Sequence, residues 1–237
     1  MSLSRFSSGI ISALLFVSPL FASASKVLVR TTTCEGQPFN YLITLPLDNL
    51  SPPKPLPAIL LLHGAGDTPR PMIDAWHSLA DKEKIVLIAP ELPRTAEFED
   101  IAPKVFHCLV ENSKLATNLD TKRIYVFGNS MGGYLAYDAL AFQSEYFAAV
   151  GVHAMGIDPK YDSILDHATR KTPVTIYVGV EDPLVPLKSV RRTVDLLKQR
   201  GFPVRYNELK NHDHNYYAVS PKVNADAWEF FLGQHLP

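Results

Sequence analysis

The chain has 237 residues, of which 46% are apolar, and this length and composition are enough for one sizeable hydrophobic core. The formal net charge at pH 7 is −1, so the charge balance does not favour nucleic acid or an acidic membrane surface as a partner. The chain has two cysteines, Cys34 and Cys108. In an oxidising compartment they could form one disulfide, and two buried thiols are the alternative.

The N-terminal segment has the pattern of a targeting signal. One arginine and no acidic residue precede the apolar run GIISALLFVSPLFA, and Ala22-Ser23-Ala24 then has the small-x-small form that signal peptidase accepts. The run is short for a membrane-spanning helix, and Pro19 interrupts it. We therefore predict a signal peptide over residues 1–24, a secreted or periplasmic single domain over residues 25–237, and no stable membrane association after cleavage.

The predicted strands follow in chain order. KVLVRTTTC and FNYLITLP are two consecutive strands joined by a Glu-Gly-Gln turn, which indicates an antiparallel start. The apolar runs AILLLHG, KIVLIAP, FAAVGVH and PVTIYVGV, together with residues 123–127, are typical of strands buried on both faces of a parallel sheet. The segment PVRYNEL is the last predicted strand.

Helices are predicted between these strands, at residues 72–82, 98–118, 131–142 and 187–200, the last of them stopped by Gly201. Ser220-Pro221 has the form of an N-cap followed by proline at the first helical position, which predicts the start of a final helix there. The alternation of strands and helices predicts an α/β fold, with a mostly parallel sheet of about eight strands flanked by helices.

A serine lies at the junction between a predicted strand and a predicted helix. Gly128-Asn129-Ser130-Met131-Gly132 matches the pattern G-x-S-x-G in the strand-to-helix context that this motif requires. Such a turn exposes Ser130 as a nucleophile, and the Met131 N–H at the helix N-terminus points to where an oxyanion would form. A serine N-cap with glycines for tight packing is the alternative interpretation.

A serine nucleophile needs a base, and the base needs an orienting acid, in the chain order Ser, acid, His. Asp182 follows the strand YVGV and precedes Pro183, so its carboxylate can lie over the sheet edge, and Glu181 is the alternative. The loop LKNHDHNYY after the last strand contains His212 and His214, and the motif itself does not distinguish them.

The segment LLLHGAGD supplies a second candidate oxyanion donor, because the strand ends at His63-Gly64 and the Ala65 N–H can turn toward the cleft. His63 itself is expected to be structural. The i, i+2 spacing of His212 and His214 without a second cluster of ligands is weak for zinc, so no metal and no organic cofactor is expected.

The segments LHGAGD, GNSMGG, EDPLVP and DHNYY occur in the order found in α/β-hydrolase esterases, which the chain resembles from about residue 26 onward. It is similar to the secreted feruloyl esterase and polyhydroxybutyrate depolymerase-like group, and also to acyl-protein thioesterase-type carboxylesterases. HDHNYY resembles the DHSYY stretch of S-formylglutathione hydrolases, in which this histidine is the base, and so the resemblance favours His214. The chain departs from the pattern at Asn129, where Leu or Phe is often seen. Residues 156–172 are short for a cap domain, which implies an open site.

The resemblance implies a secreted serine esterase in which Ser130 attacks the ester carbonyl, His214 takes its proton and Asp182 orients the imidazole. The expected substrate is a small-molecule or polymer-linked ester, with neither a cofactor nor nucleic acid as partner. Two alternatives stay open, a serine peptidase or amide hydrolase of the same fold and a non-catalytic binding protein that keeps the fold.

Overall fold

The computed structural model describes residues 25–45 and 54–237, so the predicted signal peptide lies outside the described residues. The strands are β1 (Lys26–Cys34), β2 (Gln37–Leu45), β3 (Leu56–Leu62), β4 (Val86–Pro90), β5 (Leu119–Asn129), β6 (Ala149–His153), β7 (Val174–Gly179) and β8 (Val204–Leu209). The helices are α1 (Pro69–Glu83), α2 (Ala96–Lys114), α3 (Met131–Phe142), α4 (Leu187–Gln199) and α5 (Tyr216–Leu232), with a 3₁₀ segment at Pro159–His167. None of the helices in the described ranges is long and apolar enough to cross a lipid bilayer.

The eight strands form one sheet in the order β1-β2-β4-β3-β5-β6-β7-β8. β2 pairs antiparallel with both β1 and β4, and the remaining pairs are parallel. The predicted fold class is therefore confirmed. Because the chain crosses from β4 over β3 to β5, the strand order reverses beside β3, and a crevice opens at the carboxyl ends of β3 and β5.

Helices cover both faces of the sheet, which explains why the central strands are continuous apolar runs. Every residue of β3, β4, β6 and β7 is buried. One core cluster lies on the side of α2, α3 and α4 and includes Phe106 and Leu135. The other lies on the side of α1 and α5 and includes Trp76 and Trp228.

The last helix begins earlier than the sequence predicts. α5 starts at Tyr216 with Asn215 as its N-cap, so the predicted start at Ser220-Pro221 is wrong. Proline has no N–H to donate to the carbonyl four residues back, which here belongs to Tyr217. The Ser220 hydroxyl donates to that carbonyl instead, at 3.2 Å. The pair is thus accommodated inside the helix and does not begin it.

Other boundaries also differ from the prediction. α1 begins at Pro69, because proline is tolerated in the first turn, where its missing N–H would have no helical acceptor. α2 ends at Lys114, and the chain then turns into β5 at Leu119. The Leu56 N–H donates to the carbonyl of residue 118 at 2.9 Å, which extends the pairing of β3 beyond the predicted residues 123–127. β5 also runs on to Asn129, so Ser130 follows its last residue directly.

Cys34 and Cys108 form a disulfide, with their Cα atoms 5.9 Å apart and a sequence separation of 74. The bridge joins the last residue of β1, at one edge of the sheet, to α2. Of the two alternatives that the sequence left open, the structure therefore has the disulfide.

The segment between β6 and β7 is short, as the sequence predicts. Within the residues that the structure describes, it contains the 3₁₀ segment Pro159–His167 and no large cap. The carboxyl ends of the strands around Ser130 are therefore not covered by an inserted domain.

Candidate active site

Ser130 occupies the tight turn between β5 and α3. Its backbone has φ +53° and ψ −118°, a conformation that residues with a side chain rarely adopt and that the surroundings must hold in place. The Ser130 N–H donates to the carbonyl of His153 on β6 at 2.9 Å, and the Ser130 carbonyl accepts the Gly133 N–H at 2.8 Å. The turn is thus fixed from both the sheet and the helix.

The glycines on either side of Ser130 are required by close approach of the backbone. A Cβ atom on Gly128 would lie 2.0 Å from the carbonyl oxygen of Gly132. A Cβ atom on Gly132 would lie 2.1 Å from the carbonyl oxygen of Leu62 at the end of β3. A side chain at either position would displace the turn, which is the steric reason for the G-x-S-x-G pattern.

The structure brings Ser130, His214 and Asp182 together at the carboxyl ends of the strands. His214 Nε2 lies 3.0 Å from Ser130 Oγ, and His214 Nδ1 lies 2.8 Å from Asp182 Oδ2. Because a carboxylate only accepts hydrogen bonds, Nδ1 carries the proton and Nε2 accepts from the serine hydroxyl. The Asp182 side chain has no exposed surface, and its other oxygen accepts the N–H groups of Leu184 and Val185 at 2.8 and 2.9 Å. The carboxylate is therefore held in one orientation.

The two alternative side chains lie elsewhere. Glu181 is exposed, and its N–H donates to the carbonyl of His212 at 2.9 Å. His212 is buried, and its ring packs against that of His153 with 5.6 Å between centroids. Among the residues described, the His212 Nε2 atom has no hydrogen-bond partner, so it does not hydrogen-bond to Ser130. No cluster of three or more potential metal ligands occurs within residues 25–45 and 54–237.

The loop after β3 is oriented by His63, which is buried. The Leu92 N–H donates to His63 Nε2 at 3.2 Å, so Nε2 is the acceptor and Nδ1–H donates to the Gly64 carbonyl at 2.8 Å. In a trans peptide the carbonyl and the following N–H point in opposite directions, so this bond turns the Ala65 N–H away from the imidazole. The loop also lies beside the nucleophile, because a Cβ atom on Gly64 would be 3.6 Å from Ser130 Cβ.

The backbone N–H groups of Ala65 and Met131 are the oxyanion donors predicted from the sequence. Met131 is the first residue of α3, where an N–H has no acceptor within the helix. The Ala65 N–H donates to no other residue in the described ranges, and the turn is closed instead by the Asp67 N–H, which donates to the Gly64 carbonyl at 3.2 Å. The loop after β3 and the start of α3 thus each present an N–H group that has no acceptor among the described residues.

A hydrogen bond that the sequence did not predict joins two of the motif loops. The Tyr217 hydroxyl donates to Asp67 Oδ2, and the Thr68 N–H donates to Asp67 Oδ1 at 2.8 Å. Burial and the bond to Asp67 raise the pKa of the Tyr217 hydroxyl. Both residues belong to quoted motifs, LHGAGD and DHNYY, but nothing in their spacing indicates that they pair.

A buried polar pair lies behind the Ser130 turn. Asn129 Oδ1 accepts a hydrogen bond from His153 Nδ1 at 2.9 Å, and both residues are buried. Burial, reinforced by the neighbouring imidazoles of His212 and His214, lowers the pKa of His153 to about 3, so this ring is neutral. The departure from the family pattern at Asn129 thus has a structural reason, because its side-chain amide forms a hydrogen bond that links the end of β5 to the end of β6.

An open, mostly apolar pocket of about 670 Å³ adjoins these loops. Its apolar lining includes Met155, Ile157, Leu184, Val185 and Pro186. Met155 packs against the first turn of α3, since a Cβ atom on Gly133 would lie 2.9 Å from Met155 Cβ. Val185 also contacts Asp182 through its N–H, so the pocket adjoins the Asp182 loop on one side and α3, through Met155, on the other.

The sheet order and the strained serine turn at the end of β5 define an α/β hydrolase. The model of the dienelactone hydrolase family matches residues 78–231, and the chain belongs to this family.

Named relatives agree with this membership. Acyl-protein thioesterase 1 of Gibberella zeae is 24% identical over 217 residues, which cover 76% of this chain and 90% of the relative. A bifunctional acetylxylan esterase/xylanase of Neocallimastix patriciarum is 33% identical over 190 residues, which cover 73% of this chain and 27% of that longer protein. The solved structure of a ferulic acid esterase of Anaeromyces mucronatus superimposes with a TM-score of 0.69 at 15% identity, covering 86% of this chain and 89% of that one. The resemblance to α/β-hydrolase esterases is confirmed.

Proposed function

We propose that this protein is a serine esterase that hydrolyses carboxylic esters through an acyl-enzyme. The observation that carries the proposal is the continuous hydrogen-bonded chain from Ser130 through His214 to Asp182, with contacts of 3.0 and 2.8 Å. Membership of the dienelactone hydrolase family and the similarity to an acyl-protein thioesterase and an acetylxylan esterase support ester hydrolysis.

In the first half-reaction, Ser130 Oγ attacks the ester carbonyl carbon while His214 Nε2 accepts the hydroxyl proton. The Asp182 carboxylate keeps the imidazole oriented and stabilises the imidazolium. His214 then gives the proton to the leaving alkoxide, and the acyl group stays on Ser130. Water repeats these steps with His214 as base, which releases the carboxylic acid and the free serine.

The tetrahedral intermediate carries its negative charge on the former carbonyl oxygen. We expect the N–H groups of Met131 and Ala65 to donate to it, and the bond from His63 to the Gly64 carbonyl supports this role for the second of them. Loss of one such donor typically raises the barrier by about 3 kcal/mol. The chemistry uses only groups of this chain and needs neither metal nor organic cofactor.

The substrate class follows from the openness of the site. The apolar part of the pocket lined by Met155 and Val185 is the proposed place for an acyl or aryl group. Without a large cap, the described part of the chain leaves room for an ester attached to a polymer. Similarity to an acetylxylan esterase and a ferulic acid esterase supports small-molecule or polymer-linked esters as substrates.

Secretion is part of the proposal. The Cys34–Cys108 disulfide favours an oxidising compartment, which agrees with the signal peptide predicted over residues 1–24. N-terminal sequencing of the exported protein tests it, because a mature start near Ser25 is expected. Full-length protein retained inside the cell would contradict it.

Ser130→Ala tests the nucleophile directly. With p-nitrophenyl butyrate as substrate, kcat is expected to fall by at least about 10³-fold, because the remaining groups cannot form the acyl-enzyme. A fluorophosphonate probe should label the native protein and not the variant. If the folded variant hydrolyses the ester at the native rate, Ser130 is not the nucleophile.

Matched substrates separate an esterase from an amide hydrolase. The native protein should hydrolyse p-nitrophenyl butyrate far faster than the p-nitroanilide of the same acid, because an alkoxide or phenoxide leaves more readily than an amide anion. Comparable kcat/KM values for the two would favour a peptidase. Failure of the probe to label folded protein would favour a binding protein.

A further inference from the structure

A second pocket, of about 600 Å³, lies between α2, α3 and the 3₁₀ segment. Its volume is in the range of small-molecule sites. Its lining combines three carboxylates with three aromatic rings, which belong to Glu99, Asp100, Asp138, Tyr134, Phe142 and Tyr161. Asp138 lies eight residues beyond Ser130, about 12 Å along the axis of α3, and none of the residues Ser130, Asp182 and His214 lines this pocket.

Asp138 is an acid without a partner. It is 5% exposed, it lines the pocket, and it makes no hydrogen bond or ion pair with any residue that the structure describes. Burial and the nearby charge of Glu99 raise its pKa to about 7. A buried carboxylate normally has donors or a cation against it, so this one leaves unused the capacity to accept hydrogen bonds from a ligand.

The side chains around the pocket do not neutralise Asp138. Among the described lining residues, the groups that can be positively charged are Lys104 and His167. Lys104 Nζ is directed to Glu35 Oε2 at 3.7 Å, and the His167 ring packs on that of Phe142 with 4.7 Å between centroids. The pocket therefore keeps an excess of negative charge.

The aromatic residues favour an organic cation over a bare metal ion. The rings of Tyr134 and Tyr161 lie 6.1 Å apart at 58° beside the carboxylates. Lys160 Nζ lies 4.7 Å from the Tyr161 centroid, but it also pairs with Asp158 Oδ2 at 3.9 Å, and neither Lys160 nor Asp158 lines the pocket. A hard metal ion would instead require six or more oxygen ligands, whereas this lining offers flat apolar surface next to one buried acid.

We propose that this pocket binds an organic amine, whose ammonium group donates hydrogen bonds to Asp138 and whose apolar body lies against Tyr134, Tyr161 and Phe142. The amine is a second ligand, separate from the ester substrate.

Calorimetric titration with benzylamine and with benzyl alcohol at pH 8 tests the proposal on the whole protein. The two probes have nearly the same shape, but only the amine is charged. We expect the amine to bind at least about tenfold more tightly, because a hydrogen bond to a charged partner contributes about 1.5–3 kcal/mol. Equal affinities, or no binding by either probe at millimolar concentration, would overturn the proposal.

Three variants locate the binding. Asp138→Asn should weaken benzylamine binding by about tenfold or more, because it removes the charge and keeps the shape. Asp74→Asn is the matched control, since it removes the same charge from an exposed pair on α1 and should leave the affinity unchanged. Ser130→Ala should also bind the amine normally. Unchanged binding by Asp138→Asn, or loss of binding in Ser130→Ala, would place the amine elsewhere, and circular dichroism with thermal melting checks that each variant is folded.

Discussion

His212 and His214 lie two residues apart in one loop, but their surroundings differ completely. The ring of His214 reaches Ser130 and Asp182, whereas His212 is buried against His153. The sequence pattern alone does not distinguish the two histidines, because the burial of His212 depends on how closely its loop packs against Gly179 at the end of β7. A Cβ atom on Gly179 would lie 2.3 Å from the carbonyl oxygen of His212, so the loop presses directly onto the end of β7.

The two histidines provide a matched pair of variants. His214→Ala should lower kcat by at least about 10³-fold, because no other group takes the serine proton. His212→Ala should keep kcat within about tenfold and instead lower the melting temperature, because it leaves a cavity in the core. Steady-state kinetics with p-nitrophenyl butyrate and thermal melts measure both, and the reverse pattern would identify His212 as the base.

Asp138 gives stability a predictable pH dependence. Its pKa is about 7 in the folded protein and 3.8 for the free side chain, so between these values the folded state holds a proton that the unfolded state has released. The contribution of this group to stability is therefore greatest near pH 4 and falls as the pH rises to about 7. Asp138→Asn should melt higher than the native protein at pH 8, and the difference should shrink toward pH 4. A difference that does not change with pH would contradict this assignment.

At the scale of elements, the sequence predicts what short-range chemistry decides. The buried strands and the glycine-flanked turn at Ser130 follow from apolar runs and steric limits within a few residues. The predicted start of α5 is wrong, because Pro221 can lie inside the helix. The Ser220 hydroxyl donates a hydrogen bond to the carbonyl that Pro221 leaves without a donor. The bond between Tyr217 and Asp67 spans 150 positions, and only the folded sheet brings those loops together.

The loop after β3 depends on one buried side chain. His63→Ala should lower kcat with p-nitrophenyl butyrate by about tenfold to hundredfold and change KM little, because it frees the peptide that orients the Ala65 N–H, a donor used mainly in the transition state. His235→Ala, at an exposed position near the C-terminus, is the matched control and should behave like the native protein. A tenfold to hundredfold rise in KM with no loss of kcat would mean that His63 affects substrate binding instead.

For the molecule as a whole, the disulfide should be a major source of stability. It joins residues 74 positions apart. A disulfide typically contributes about 2–4 kcal/mol, chiefly by restricting the unfolded chain, and more for longer loops. The double variant Cys34→Ala, Cys108→Ala should therefore unfold at a lower urea concentration than the oxidised native protein. Adding reductant to the native protein should give the same shift, and no shift in either sample would mean that the bridge is thermodynamically silent.

That bridge also protects an otherwise vulnerable border of the sheet. β1 is one of the two edge strands, and among the described residues it pairs only with β2, whose Tyr41 and Ile43 are buried in the core. The disulfide links the end of β1 to α2 and so opposes the separation of β1 from β2. If β1 separated, the backbone of β2 would be exposed to neighbouring molecules. Reduction of the disulfide would thus favour aggregation as well as unfolding, because the exposed edge of β2 is a strand with which further chains can pair.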